Sequence, residues 1–174
     1  MTVRAVLRMG DPRLWVKARP VEAFDTPELC RLVGDMKETM LDREGVGLAA
    51  PQIGESLRVV VFGFDEGALR PEAEGIPYTV LINPVLTPLS DETEEDWEGC
   101  LSIPGLCGKA PRYKKLRYAG FGLSGAPLDR IVEGFHARVV QHECDHLDGI
   151  LYPARIRDFQ NFGYREELFP GADT

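Results

Sequence analysis

The sequence predicts an α+β fold, with short, mostly antiparallel sheets packed around a central helix. Apolar residues recur at helical spacing in two stretches, one over 27–43 and one from Phe135 to Ile150. Runs rich in β-branched residues at 57–64 and 78–83 read as strands. The strands fall before and between the helices without regular β-α-β alternation, which argues against a parallel sheet.

The 174 residues fit one domain, spanning 1–174, with a substantial core. A net charge of −8 argues against a general nucleic-acid binder, which needs a basic face. No apolar run approaches the length of a membrane span. The start, Met1-Thr2-Val3-Arg4-Ala5-Val6, lacks the apolar block of a secretory signal, and no transit peptide is read before the first motif. Cysteines 30, 100, 107 and 144 show no C-x-x-C pairing, so they are expected as thiols or ligands in a reducing compartment, the cytoplasm.

Residues 11–25, with two prolines, read as an irregular lead-in. Asp25 or Thr26 can cap the first helix, with Pro27 in its first turn and Glu28 near its positive end. Leu29, Leu32, Val33, Met36, Met40 and Leu41 make its apolar stripe, and Cys30 lies off it. The run Gly45-Val46-Gly47-Leu48-Ala49-Ala50-Pro51-Gln52-Ile53-Gly54 lacks the Gly-Lys-Ser/Thr of a phosphate loop. It suits either a tight packed loop or a loop that brings backbone and one amide side chain close to a ligand. The strands at 57–64 and 78–83 are joined by a Gly-, Glu- and Pro-rich surface loop over 65–77, and Asn83-Pro84 and Thr87-Pro88 punctuate the second strand's far end. The acidic run 91–96 reads as a solvated hairpin or turn leading to Trp97-Glu98-Gly99-Cys100-Leu101-Ser102-Ile103-Pro104-Gly105. A strand is expected within 112–123, a turn at 124–127, and a short strand from Leu128 to Val132. From about residue 160 the tail is polar and is expected to be loosely structured.

The second helix carries Gln141-His142-Glu143-Cys144-Asp145-His146-Leu147-Asp148-Gly149. In His-Glu-x-x-His the two imidazoles stand one turn apart on one helix face, where they can hold one metal ion. The adjacent Glu143 can reach a metal-bound water. Gly149 and Pro153 mark the helix stop. Cys144 and Asp145 do not share the azimuth of both histidines, and His136 sits off their face. A catalytic site of this type needs a third protein ligand and an open position, and Cys100 and Cys107 are the thiol candidates.

Three separated stretches together resemble the signature motifs of the peptide deformylases: Gly45-Val46-Gly47-Leu48-Ala49-Ala50-Pro51-Gln52, Glu98-Gly99-Cys100-Leu101-Ser102 and Gln141-His142-Glu143-Cys144-Asp145-His146. They stand in the family's order, and the resemblance runs from about residue 5 to 160. It implies removal of the formyl group from the N-terminal formylmethionine of new polypeptides, with release of formate. It implies Cys100, His142 and His146 as metal ligands, Glu143 as general base, and the Gln52 side chain with the Leu101 N–H as oxyanion donors. One divalent ion per chain is implied, Fe(II) in cells, with Zn, Ni or Co in preparations. Val46, Gly47 and Gly99 match positions whose backbone pairs with an extended substrate. Phe135 and Val139, seven and three residues before His142, are candidates for the wall of a methionine pocket as well as for ordinary core packing. Glu98 paired with Arg112 is the expected support behind the ligands.

Cys107 departs from many bacterial members, which carry an arginine seven residues after the cysteine ligand, and Gly105-Leu106-Cys107-Gly108 looks more like an organellar-type subclass. The tail 164–170 is not the basic C-terminal helix by which some members dock on ribosomes, so the expected partners are formyl-methionyl peptides and nascent chains. Nucleic acid and membrane are not expected as partners. Two rivals use the same histidines. A zinc endopeptidase would take Glu166, some twenty residues after His146, as third ligand; a structural zinc would be closed by Cys100, Cys107, His142 and His146.

Overall fold

The computed structural model describes residues 2–65 and 74–171. The first helix, α1, spans Pro27–Asp42, and Thr26 Oγ1 accepts from the Leu29 N–H at 3.2 Å to cap it. Leu29, Leu32, Val33, Met36 and Met40 are buried, as the stripe predicts, but Leu41 is 57% exposed. Met40 and Leu41 are 100° apart on the helix, and only Met40 lies on the buried face.

The larger sheet has five antiparallel strands in the order β1-β2-β3-β6-β7. These are β1 (Gly47–Ala49), β2 (Val59–Phe64), β3 (Ile76–Pro88), β6 (Lys115–Phe121) and β7 (Pro127–Glu133). The smaller sheet has the order β4-β5-β8, with β4 at Thr93–Cys100, β5 at Ile103–Tyr113 and β8 at Phe162–Tyr164. The helix α2, Gly134–Leu147, carries both histidines of the motif.

β2 shows why its sequence is a continuous apolar run rather than an alternating one. Val59 and Val61 belong to the core that includes α1, and Val60 and Phe62 belong to the core that includes α2. Both faces of the strand are therefore covered, and every residue from Val59 to Phe62 is buried. α2 lies with its other side against the smaller sheet, where the Gln141 amide accepts from the Tyr113 N–H (3.0 Å) and donates to the Tyr113 carbonyl (2.9 Å). The central helix of the expected fold is thus held between two sheets.

Four local expectations change. β3 does not end at Asn83-Pro84. It bulges between Ile82 and Val85 and runs on to Pro88. Asn83 takes φ +52°, which asparagine tolerates, and its amide pairs both ways with the Val21 backbone (2.9 and 2.8 Å). The acidic run 91–96 is exposed as expected, yet from Thr93 it is strand. β4 is an edge strand, where charges block further pairing, so low strand propensity is overridden by the long pairing with β5. β5 itself had no strand signal over 103–111. The tail is not loose over 159–168: Phe159–Asn161 is a 3-10 turn, β8 pairs with Leu106–Gly108, and Arg165–Leu168 forms a short helix, α3. The surface loop expected at 65–77 lies partly outside the described residues.

Gly63 sits at the irregularity between Phe62 and Phe64 with φ +142°, and a Cβ there would lie 2.5 Å from the Tyr78 Cα. Backbone cannot yield as a side-chain tip can. Gly63→Ala is expected to lower stability by about 2 kcal/mol or more, read as a drop in the denaturant midpoint at unchanged slope.

Candidate metal centre and active site

The site is built where the end of β4, its turn into β5 and the 3-10 turn after β1 meet α2. His142 and His146 are one turn apart on the helix, with ring centroids separated by 5.1 Å. Cys100 ends β4, and Leu101 and Ser102 turn the chain into β5. Gln52 comes from the 3-10 turn Ala50–Ile53 that follows β1. The Cys100 Sγ lies 3.3 Å from His146 Nε2. One donor atom from each of Cys100, His142 and His146 falls within 4.8 Å of the others, the one such group of metal-ligating side chains among the described residues. Tetrahedral bonds of zinc type to one sulfur and two nitrogens place ligand atoms about 3.5 Å apart, so this triad fits a single ion. Cys107, Cys144 and Glu166 are not in the group. Cys107 is paired within the smaller sheet, Cys144 is buried, and Glu166 is exposed on α3.

Behind the ligands, Glu98 is buried and accepts from four groups. Arg112 binds it through Nε and Nη2 (2.8 and 2.9 Å), Arg138 through Nη1 (2.8 Å), and His142 Nδ1 lies 2.8 Å from its Oε2. With Nδ1 committed to Glu98, His142 presents Nε2 to the site. Burial alone would push the Glu98 carboxyl up. The hydrogen bonds from Arg112 and His142 outweigh it and hold the group well below the usual carboxylate range. His142 is pushed down by burial but pulled up more strongly by Cys100 and Glu98, ending well above the ordinary imidazole value. His146 goes well below it, through burial and then the positive charge at His142.

Glu143 is buried, and its Oε2 has no hydrogen-bond partner among the described residues. Burial, with the Glu98 charge adding to it, pushes its carboxyl up to about 7 against the opposing pull of His142. Gly47 explains how it fits: a Cβ at that position would lie 2.3 Å from Glu143 Oε1. The Gln52 amide is fixed from both ends. Its Oε1 accepts from the Ala49 N–H (2.8 Å), and its Nε2 reaches Ser102 Oγ (3.1 Å) and Cys100 Sγ (3.5 Å).

A cavity of about 910 Å³ opens on this centre, and Val46, Gly47, Gly99, Leu101, Phe135 and Val139 all line it with Cys100, His142 and Glu143. Phe135 is 40% exposed with its ring against Phe64, whereas Val139 is buried. The Val46 carbonyl accepts from the Gly63 N–H (2.9 Å), which ties this segment to β2.

Several contributors were not picked out in the sequence. Arg138, between Phe135 and Val139, reads there as a surface charge, but it is 5% exposed and also donates to the Ala110 carbonyl (2.7 Å). Asp145 accepts from Arg112 (2.5 Å) and from Arg155 (2.7 and 3.1 Å), extending the ion network to the chain after the helix. Ser102 stands within the Glu98–Ser102 stretch, where nothing in the sequence marks its hydrogen bond with Gln52. Trp97, Arg165 and Phe169 line the same cavity from β4 and the tail, and nothing in their sequence context signals it.

Comparison with known proteins places these features in one group. Residues 3–162 match the family model described as polypeptide deformylase. A protein of Nitrosomonas europaea named peptide deformylase 1 is 62% identical over 169 residues, covering 97% of this chain and 96% of that one. A Bordetella pertussis protein of the same name is 59% identical over 171 residues, covering 98% and 97%. Among solved structures, a class I type b peptide deformylase from Acinetobacter baumannii, bound to Met-Ala-Ser, superposes with a TM-score of 0.85 at 37% identity, covering 89% of this chain and 99% of that one.

The buried network yields a direct expectation. Arg112→Ala leaves Glu98 short of two hydrogen bonds in the interior, and removing one partner of a buried ion pair typically costs about 3–5 kcal/mol. Chemical denaturation is expected to show a loss of that size, with metal content reduced in parallel because His142 loses its fixed orientation. A variant with unchanged midpoint and full metal would show that Arg138 alone suffices to hold Glu98.

Proposed function

The chain belongs to the polypeptide deformylase family, and from that premise we propose how its residues remove the N-formyl group from nascent peptides. The observation that carries the proposal is a Cys-His-His donor set beside a buried carboxylate with a free oxygen, at the head of a cavity. Peptide deformylases bind a single metal, and in this chain Cys100, His142 and His146 would hold it. A bound divalent ion supplies Lewis acidity and makes water nucleophilic near neutral pH. Glu143 takes the proton of the attacking water and returns it to the leaving nitrogen, a task suited to a carboxyl raised to about 7. The Gln52 Nε2 and the Leu101 N–H face the oxygen that gains charge in the transition state. Glu98, with Arg112, holds His142 in one tautomer and orientation.

Substrate enters as an extended strand. β1 is an edge strand of the larger sheet, so the backbone at Val46 and Gly47 can take an added strand from one side, with Gly99 on the other. Phe135 and Val139 line the space for the unbranched methionine side chain. One thiolate and two imidazoles suit iron and zinc alike; the assignment of Fe(II) in cells, with Zn, Ni or Co in preparations, rests on the family. Residues 1–174 act as one catalytic domain in the cytoplasm, a reading supported by free thiols at all four cysteines. No helix among the described residues is long and apolar enough to cross a membrane. Cys107, seven residues after Cys100 within Gly105-Leu106-Cys107-Gly108, supports a type 1 enzyme with organellar-like features. Direct ribosome docking is not part of the proposal, because the short α3 carries Glu166 and Glu167 rather than a basic face.

The deciding assay is formate release from formyl-Met-Ala-Ser by anaerobically purified protein, beside Glu143→Gln carrying the same metal load. The parent is expected to release formate and the variant to lose about a hundred- to ten-thousand-fold in rate. A metal-loaded parent that releases no formate would move the function to another amide or to binding alone. Gln52→Ala is expected to lower kcat by about two to three orders of magnitude with metal retained. Loss of metal in that variant would reassign Gln52 to holding Cys100.

A further inference from the structure

The cavity does not stop at the residues that handle the formyl group and methionine. It continues to a shelf built from two distant parts of the chain, Trp97 of β4 and Phe169 just past α3. Their rings meet edge-on, with centroids 4.8 Å apart and planes at 76°. Lys109 Nζ stands 5.3 Å from the Trp97 ring centre. Both aromatic residues are half-buried, so each keeps open surface toward the cavity. Arg165 lines the same cavity, is exposed, and has no ion-pair partner among the described residues. β8 fixes this arrangement: Tyr164 pairs with Leu106, which sets the start of α3 against the strand that leaves Cys100.

We propose that the Trp97–Phe169 shelf and Arg165 form a subsite for the peptide residues that follow formylmethionine. The inference rests on the deformylase reading of the same cavity. Continuity with the metal centre identifies the occupant, since a peptide extended from that centre advances about 3.3 Å per residue along the groove. An open aromatic pair favours an apolar or aromatic side chain, and a guanidinium on the wall of the same cavity, without an ion-pair partner among the described residues, favours a main-chain carbonyl of the same peptide. The C-terminal segment thereby acts in recognition of the nascent chain beyond its first residue.

The test compares kcat/KM for formyl-Met-Ala-amide with that for longer amides carrying Phe or Gly at the second, third or fourth position. Phe is expected to raise kcat/KM over Gly at one of these positions by about fivefold, the size of one aromatic contact, and to act through KM. Phe169→Ala should abolish that gain and Phe169→Tyr should keep it. Arg165→Gln should shrink the advantage of longer peptides over formyl-Met-Ala-amide whatever their side chains. Equal values for Phe and Gly at all three positions, or a Phe gain untouched in Phe169→Ala, would overturn the subsite. Absence of formate from every peptide, formyl-Met-Ala-amide included, would instead overturn the deformylase reading on which it rests.

Discussion

Glu98 is a single carboxylate that two arginines and a histidine approach at once in the interior, and the arrangement of the whole site follows from it. Taking that many charges out of water is expensive, and only complete hydrogen bonding offsets it. The network is complete in that sense. Arg138 adds backbone carbonyls from β4 and β5, and Arg112 adds Asp145. Glu98 stands on β4, Arg112 on β5, and Arg138 and His142 on α2. The same bonds therefore fasten the smaller sheet to the helix and aim the ligand. A change that loosened the sheet would also loosen the imidazole, so stability and metal retention are coupled through one group.

The larger sheet meets a different demand, that of placing α2 at a fixed height. β2 is buried on both faces, against α1 on one side and α2 on the other. An apolar core is non-directional, so it sets the distance of α2 from the sheet but not its rotation. Rotation comes from the polar side, through Gln141 on the Tyr113 backbone and Arg138 on Glu98. His142 and His146 then face Cys100 because Arg138, Gln141 and Asp145 on the same helix are each tied elsewhere. The two sheets divide the work between hydrophobic burial and directed hydrogen bonds.

Much of this was legible in the residues, and the exceptions have physical reasons. α1 could be read because its cap, its proline and its stripe agree with one another. α2 could be read because a helical period and a ligand period coincide in His142 and His146. β4 and β5 could not, since Glu94, Glu95 and Asp96 disfavour strands locally and long-range pairing alone makes them so. Arg138 and Asp145 were hidden for a related reason: a charge on a helix looks solvated until its partner, remote in sequence, is known. The tail was hidden because Phe162–Tyr164 is too short to carry a period, yet it needs only three residues of β5 to dock.

Gly47 joins the fold to the chemistry most directly. Its carbon lies against the Glu143 carboxylate, where any Cβ would fall 2.3 Å from an oxygen, and it also opens the edge strand of the larger sheet. The absence of a side chain thus serves two ends. It lets the acid sit beside the backbone that a peptide would pair with, and that carboxylate is buried with one oxygen lacking a hydrogen bond among the described residues. An unpaired buried oxygen is destabilising, so it is tolerated where surrounding packing over-determines it and a reacting group can later satisfy it. An extended chain laid on β1 would bring its first amide to that oxygen and carry its following residues toward β4 and β8. On the subsite proposal, the same edge strand would carry the rest of the peptide toward the cavity wall that Trp97 and the C-terminal segment line.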